Sequence, residues 1–146
     1  MDLIFDKVSY RPSDEITGVG PGSGTLSVSR LGVPIKELAS ADAFNLGTYP
    51  EGAYSISWKG EEGSQLNSAF EVLDEPWARM RYGFISEFSD SVDVKEYLMW
   101  AKKLHLTSIQ FYDWAWKHEF LTTEASHYPD PLGQSISTEK IKELIR

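Results

Sequence analysis

Residues 73–88, LDEPWARMRYGFISEF, hold the point where the sequence changes its grammar. Up to Asp74 the chain alternates apolar and polar residues in short runs. Pro76 then stiffens a brief connection, and "MRYGFISEF" (residues 80–88) follows as a largely apolar run of strand character. What lies on each side of this junction sets the fold expected for each half.

To the left, three runs carry the pattern. "GTLSVSR" places Leu26 and Val28 on one face, "AYSISWKG" places Tyr54, Ile56 and Trp58, and "SAFEVLD" places Phe70 and Val72. Period two broken by Gly, Pro, Asn and Asp is the mark of half-buried antiparallel strands. About seven such strands fit before residue 75, which suits a small β-sandwich of the immunoglobulin type. Within "YPEGAYSISW", Tyr54 follows an acid-Gly-Ala turn and precedes Ile56 by two positions. That spacing resembles the tyrosine corner of immunoglobulin-like sandwiches, with Ile56 where the second cysteine would stand. The core must then be held by packing alone, since the chain has no cysteine.

To the right, "VDVKEYLMWAKKLHL" sets Val94, Tyr97, Leu98, Ala101 and Leu104 at helical spacing. Asp93 is placed to cap this helix with Glu96 three residues on, and Val92 to staple against Tyr97. "TSIQFY" reads as a second strand. After a long loop, "ISTEKIKELIR" starts a second helix, with Ser137 as cap and Ile136 and Ile141 as staple. Strand, helix, strand, helix implies parallel pairing. Two such units expose both edges of a two-stranded sheet, whereas parallel sheets are normally covered. Residues 76–146 therefore read as the beginning of a larger domain.

Composition narrows the partners. The chain has 41% hydrophobic and 25% charged residues, as a globular protein does. A formal charge of −8 argues against nucleic acid and against an anionic membrane surface, and suits a neutral ligand. No run approaches the ~18 apolar residues of a membrane span. The opening "MDLIFDKVSY" lacks the basic and apolar regions of a signal peptide, so localisation is left open between the cytoplasm and secretion after removal of a leader.

Candidate chemistry is sparse. "GVGPGSG" (residues 18–24) has no following Lys-Ser or Lys-Thr and leads into a strand, so it reads as a loop between strands and not as a phosphate cradle. His118 and His127 with Asp113 and Glu119 match no metal-ligand spacing, and no cofactor or metal is expected. No serine sits in a nucleophile-elbow motif. Arg81 reads as a structural ion-pair partner, and Asp130-Pro131-Leu132-Gly133 as a turn.

The densest stretch is "SIQFYDWAWKHEF" (residues 108–120). Together with "RYGF", "IQFYDW", "KHE" and "DPLG" in that order, it resembles the opening of the catalytic barrel in glycoside hydrolase family 66. That family comprises dextranases and cycloisomaltooligosaccharide glucanotransferases. The earlier "DKVSYRPSDEI" and "GAYSISW…AFEVLD" are similar to its N-terminal immunoglobulin-like domain. The resemblance implies a sandwich over residues 1–75 and the first βαβα units of an incomplete (β/α)8 barrel over residues 76–146. It also implies action on α-1,6-glucan by a retaining mechanism, with carboxyl groups about 5–5.5 Å apart.

The catalytic aspartate and glutamate of the family lie on later strands. No catalytic residue is therefore expected in this chain, neither Asp113, Glu119 nor Asp130, and the chain alone is expected to be inactive. What it inherits by resemblance is part of the sugar-binding wall: Tyr112, Asp113 and Trp114 at a strand's C-terminal end, with His118 and Asp130 nearby. Aromatic faces suit the C–H faces of a pyranose, and a carboxylate accepts strong hydrogen bonds from hydroxyls. Two other classes stay open, a non-catalytic glucan-binding module and a protein-interaction domain that self-associates through the uncovered sheet.

Overall fold

Leu26, Val28, Tyr54, Ile56, Trp58, Phe70 and Val72, the inward residues of the alternating runs, are each no more than 3% exposed. They lie on β3 (Gly24–Arg30), β6 (Gly52–Gly60) and β7 (Gln65–Val72) of the computed structural model, which describes residues 2–146. With β4 (Val33–Ser40) these strands form an antiparallel sheet in the order β4-β3-β6-β7. A second antiparallel sheet, β1-β2-β5, is made by β1 (Ile4–Phe5), β2 (Thr17–Val19) and β5 (Ala43–Asn45). The residues that the three-stranded sheet and its flanks bury, Phe5, Tyr10, Ile16, Phe44 and Leu46, share one apolar cluster with the inner face of the four-stranded sheet. The result is a β-sandwich.

Aromatic rings fill its centre. Phe5 meets Phe44 edge-on at 5.6 Å, and Tyr54 stacks on Phe70 at 5.0 Å. The Tyr54 hydroxyl donates to the Pro50 carbonyl at 2.7 Å and ties the turn to β6, in keeping with its corner-like spacing. Where β3 turns into β4, Leu31 and Gly32 both have positive φ, as a two-residue hairpin with the twist of its strands requires.

The chain divides into two compact units, Met1–Met80 and Arg81–Arg146. The second unit opens with β8 (Tyr82–Ile85), shorter than the apolar run that announces it. Then come α1 (Val94–Lys103) and β9 (Ser108–Phe111), which pairs with β8 in parallel register, Tyr82 opposite Ser108 and Ile85 opposite Phe111. Asp93 accepts the Glu96 backbone N–H at 3.1 Å, and Val92 is buried in the cluster on which Tyr97 packs. The expected cap of this helix is present, and both residues of the expected staple join one apolar cluster.

The stretch expected to be a long loop contains a hairpin, β10 (His127–Pro129) with β11 (Ser135–Ser137). Three-residue strands leave too few positions for alternation to register. Asp130 to Gly133 make the turn between them, with Gly133 at φ +84°. The final helix, α2 (Thr138–Ile145), follows directly.

Ser137 stands at its N-cap with extended backbone, but its side chain makes no capping bond. Asp90 lies near it, and Ser137 helps to hold that carboxyl below its ordinary pKa. Ile136 and Ile141 are buried together in the cluster with Ile85, Phe88 and Leu144.

Candidate functional site

In β8 and β9 the side chains alternate across the two strands. Ile85, Ile109 and Phe111 pack into the apolar cluster of the unit. Tyr82, Phe84 and Tyr112 are 52%, 66% and 51% exposed. Their rings form a continuous row, Tyr82 to Phe84 at 5.9 Å and Phe84 to Tyr112 at 6.2 Å. The Tyr82 hydroxyl is hydrogen-bonded to the Gln110 side chain, which cross-links the strands. Arg81, read from sequence as an ion-pair partner, donates through Nε to the His105 carbonyl at 2.6 Å.

The loop leaving β9 starts with Tyr112, whose N–H still reaches the Ile85 carbonyl at 2.8 Å. Asp113 then adopts φ +53°, a left-handed conformation that L-residues seldom hold and Asp tolerates better than most. This reverses the chain at the strand end. Trp114 is part-buried against the core, and its carbonyl accepts the Tyr128 hydroxyl at 2.6 Å. The burial that seats Tyr128 also pushes its phenol pKa up, which keeps it a donor. Tyr112, Asp113 and Trp114 are thus held at the C-terminal end of a parallel strand, the first by the ladder and the third by Tyr128.

His118 lies elsewhere on the loop, exposed at the tip of a turn closed by Lys117 N–H to the Phe120 carbonyl at 3.0 Å. Asp130 is 4% exposed inside the hairpin turn. One carboxylate oxygen accepts the Leu132 and Gln134 N–H groups, each at 2.8 Å, so its visible work is to hold the turn. Trp116 packs on the core, stacks toward Phe120 at 6.3 Å and carries the Lys117 ammonium over its ring at 4.3 Å.

Sequence reasoning did not single out Phe84 or Tyr128. The alternation in "RYGF" places Tyr82 and Phe84 on one face and carried the first signal. The Tyr128 contact to Trp114 spans fourteen residues and left no local trace. A polar cluster was also missed: His127 Nε2 lies 2.9 Å from Asp90, and Nδ1 3.1 Å from the Ser126 hydroxyl. Among the described residues, no three His, Cys, Asp or Glu side chains are placed to hold a metal ion. Among them no helix is long and apolar enough to cross a membrane.

The family model of glycosyl hydrolase family 66 matches residues 39–146, most of the chain. The chain belongs to glycosyl hydrolase family 66. Among solved structures it is similar to a cycloisomaltooligosaccharide glucanotransferase from Paenibacillus sp., complexed with cycloisomaltoheptaose. The TM-score is 0.76 at 22% identity, over 99% of this chain and 25% of that one, so the likeness is one of fold and the chain spans a quarter of that protein's length. No match is found among curated proteins.

Proposed function

We propose that residues 1–146 form the part of a glucan-active family 66 enzyme that supplies an immunoglobulin-like sandwich and the first βαβα units of a (β/α)8 barrel. The substrate is an α-1,6-linked glucan or isomaltooligosaccharide. Tyr112, Asp113 and Trp114 form a wall of its binding site, His118 adds a polar contact from the loop tip, and Asp130 braces the loop that carries them. The chemistry is retaining, with the catalytic carboxyl pair on strands outside these residues, and the 146-residue chain by itself does not cleave glucan.

The observation that carries this reading is the left-handed Asp113 between an exposed Tyr112 and a half-buried Trp114 at the end of β9. Backbone strain of this kind persists where neighbouring structure over-determines it, and it gathers at functional sites. Active sites of barrels form at the C-terminal ends of strands. Asp113 can accept from two sugar hydroxyls beside a flat aromatic face.

Titration of the purified chain with isomaltooligosaccharides tests the wall. Tryptophan fluorescence should change at millimolar sugar, Trp114→Ala should reduce the change, and no dextran should be hydrolysed. A flat titration, or robust hydrolysis by the 146-residue chain, overturns the reading. The row Tyr82, Phe84 and Tyr112 favours a second behaviour in isolation, self-association through an uncovered aromatic face.

A further inference from the structure

At one end of the sandwich, the β2–β3 loop and the β6–β7 turn stand apart and leave an open cleft of about 240 Å³. Pro21 and Ser23 form one wall, Glu61, Glu62 and Ser64 the other, and Trp58 lies between them. The indole owes its position to two glycines. Gly24 and Gly60 face each other across β3 and β6. A Cβ on Gly24 would stand 2.6 Å from the indole Nε1, and one on Gly60 2.5 Å from Cη2, so the ring occupies the space that side chains at both positions would take. Trp58 is 3% exposed, and its Nε1 is buried with no hydrogen-bond partner. Buried donors are nearly always satisfied, so this one calls for an acceptor that the folded chain does not supply.

The chemistry of the cleft selects the ligand. Indole N–H is a donor only, so the group that meets it must accept. Two glutamates on the opposite wall repel an anion and accept hydrogen bonds, so the same ligand must also donate. Serine hydroxyls serve either way. A neutral polyhydroxylated ring meets all three demands. The volume lies below the ~300–1,000 Å³ of sites for drug-sized ligands, which suits one ring rather than several.

We infer that this cleft is a second sugar site, which seats one glucose ring of an isomaltooligosaccharide with a ring hydroxyl as acceptor for the Trp58 N–H. The choice of glucan rests on the function proposed above, whereas the preference for a neutral polyol rests on the cleft alone. Because Nε1 is shut off from solvent, binding includes a small local opening of the cleft beside the indole. Such a site would give the sandwich a glucan contact of its own.

Indole N–H resonances of the 15N-labelled chain, titrated with isomaltotriose, test this. The five tryptophans are assigned by Phe substitution at Trp77, Trp100, Trp114 and Trp116, which leaves Trp58 by elimination. The Trp58 resonance should move at millimolar isomaltotriose, and the surface variant Glu62→Ala/Ser64→Ala should weaken that response about tenfold. If Trp114 moves while Trp58 stays still, the second site is overturned and the wall stands. If Trp58 moves and Trp114 does not, the cleft is supported and the wall fails. Stillness of both overturns the two together, and a Trp58 shift unchanged in the double variant overturns the role given to this cleft.

Discussion

Two residues show how a single side chain settles local structure here. The Tyr54 hydroxyl, in a residue 3% exposed, closes the turn before β6 through the Pro50 carbonyl. Tyr54→Phe removes the donor and leaves that carbonyl under-satisfied, so urea unfolding of the sandwich should show a loss of about 1 kcal/mol. An unchanged midpoint would mean the bond is not holding the corner. Asp113 poses the opposite case, because its φ of +53° costs stability. Asp113→Gly should be more stable than Asp113→Ala by about 1 kcal/mol, since only glycine takes this conformation freely. Both variants should lose the sugar-dependent shift of the Trp114 indole N–H resonance. A Trp114 shift retained in either one would remove the carboxylate from the proposed wall.

At the scale of elements, glycines and charges decide which strands and loops can meet. Gly24 lies so close to β6 that an added Cβ would stand 2.4 Å from the Lys59 carbonyl oxygen. Gly24→Ala should destabilise the sandwich by about 1–3 kcal/mol through overpacking, read by thermal unfolding, while an Ala variant as stable as the parent would show β3 free to move. In the second unit, Asp90 links the loop before α1 to the hairpin through His127, with Ser137 and Lys140 also acting on its carboxyl. Its pKa lies below the ordinary 3.8, first through the Ser137 hydrogen bond and then through His127.

A depressed folded pKa contributes stability above the unfolded value and loses it as pH falls through the folded one. Asp90→Asn should therefore lower the melting temperature at neutral pH, with the difference closing below pH 3.8. A difference that persists at the most acid pH would assign the effect to packing. The site shows the same division between legible and hidden. "FYDW" was readable because a strand pattern ends in a dense cluster of aromatic and acidic residues. The support from Tyr128 was hidden, because hydrogen bonds between distant elements leave no periodicity.

For the whole molecule, the open question is how the second unit's uncovered face behaves in water. Phe84 is 66% exposed between two other rings, an arrangement monomeric proteins rarely leave bare. Sedimentation of the 146-residue chain should show concentration-dependent association, relieved by Phe84→Lys. A monodisperse monomer at all concentrations would sink this expectation. The same face explains why a two-stranded parallel sheet in isolation looks unfinished, since parallel sheets ordinarily carry cover on both sides.

Local pattern was enough for the parts of this protein that depend on neighbours in sequence. Alternation marked the buried faces of β3, β6 and β7, helical spacing with Asp93 and Glu96 marked α1, and the change of grammar after residue 75 preceded the start of a parallel β-α-β unit. These follow from side-chain periodicity and capping, which act over a few residues. The tertiary structure decided what needs contacts between distant segments. It left Ser137 without its capping bond and tied Trp114 to Tyr128. It also laid the Trp58 indole across two glycines that face each other only once the strands have paired. Pairing, burial and hydrogen bonds across the fold assign those roles, and no short stretch of sequence contains them.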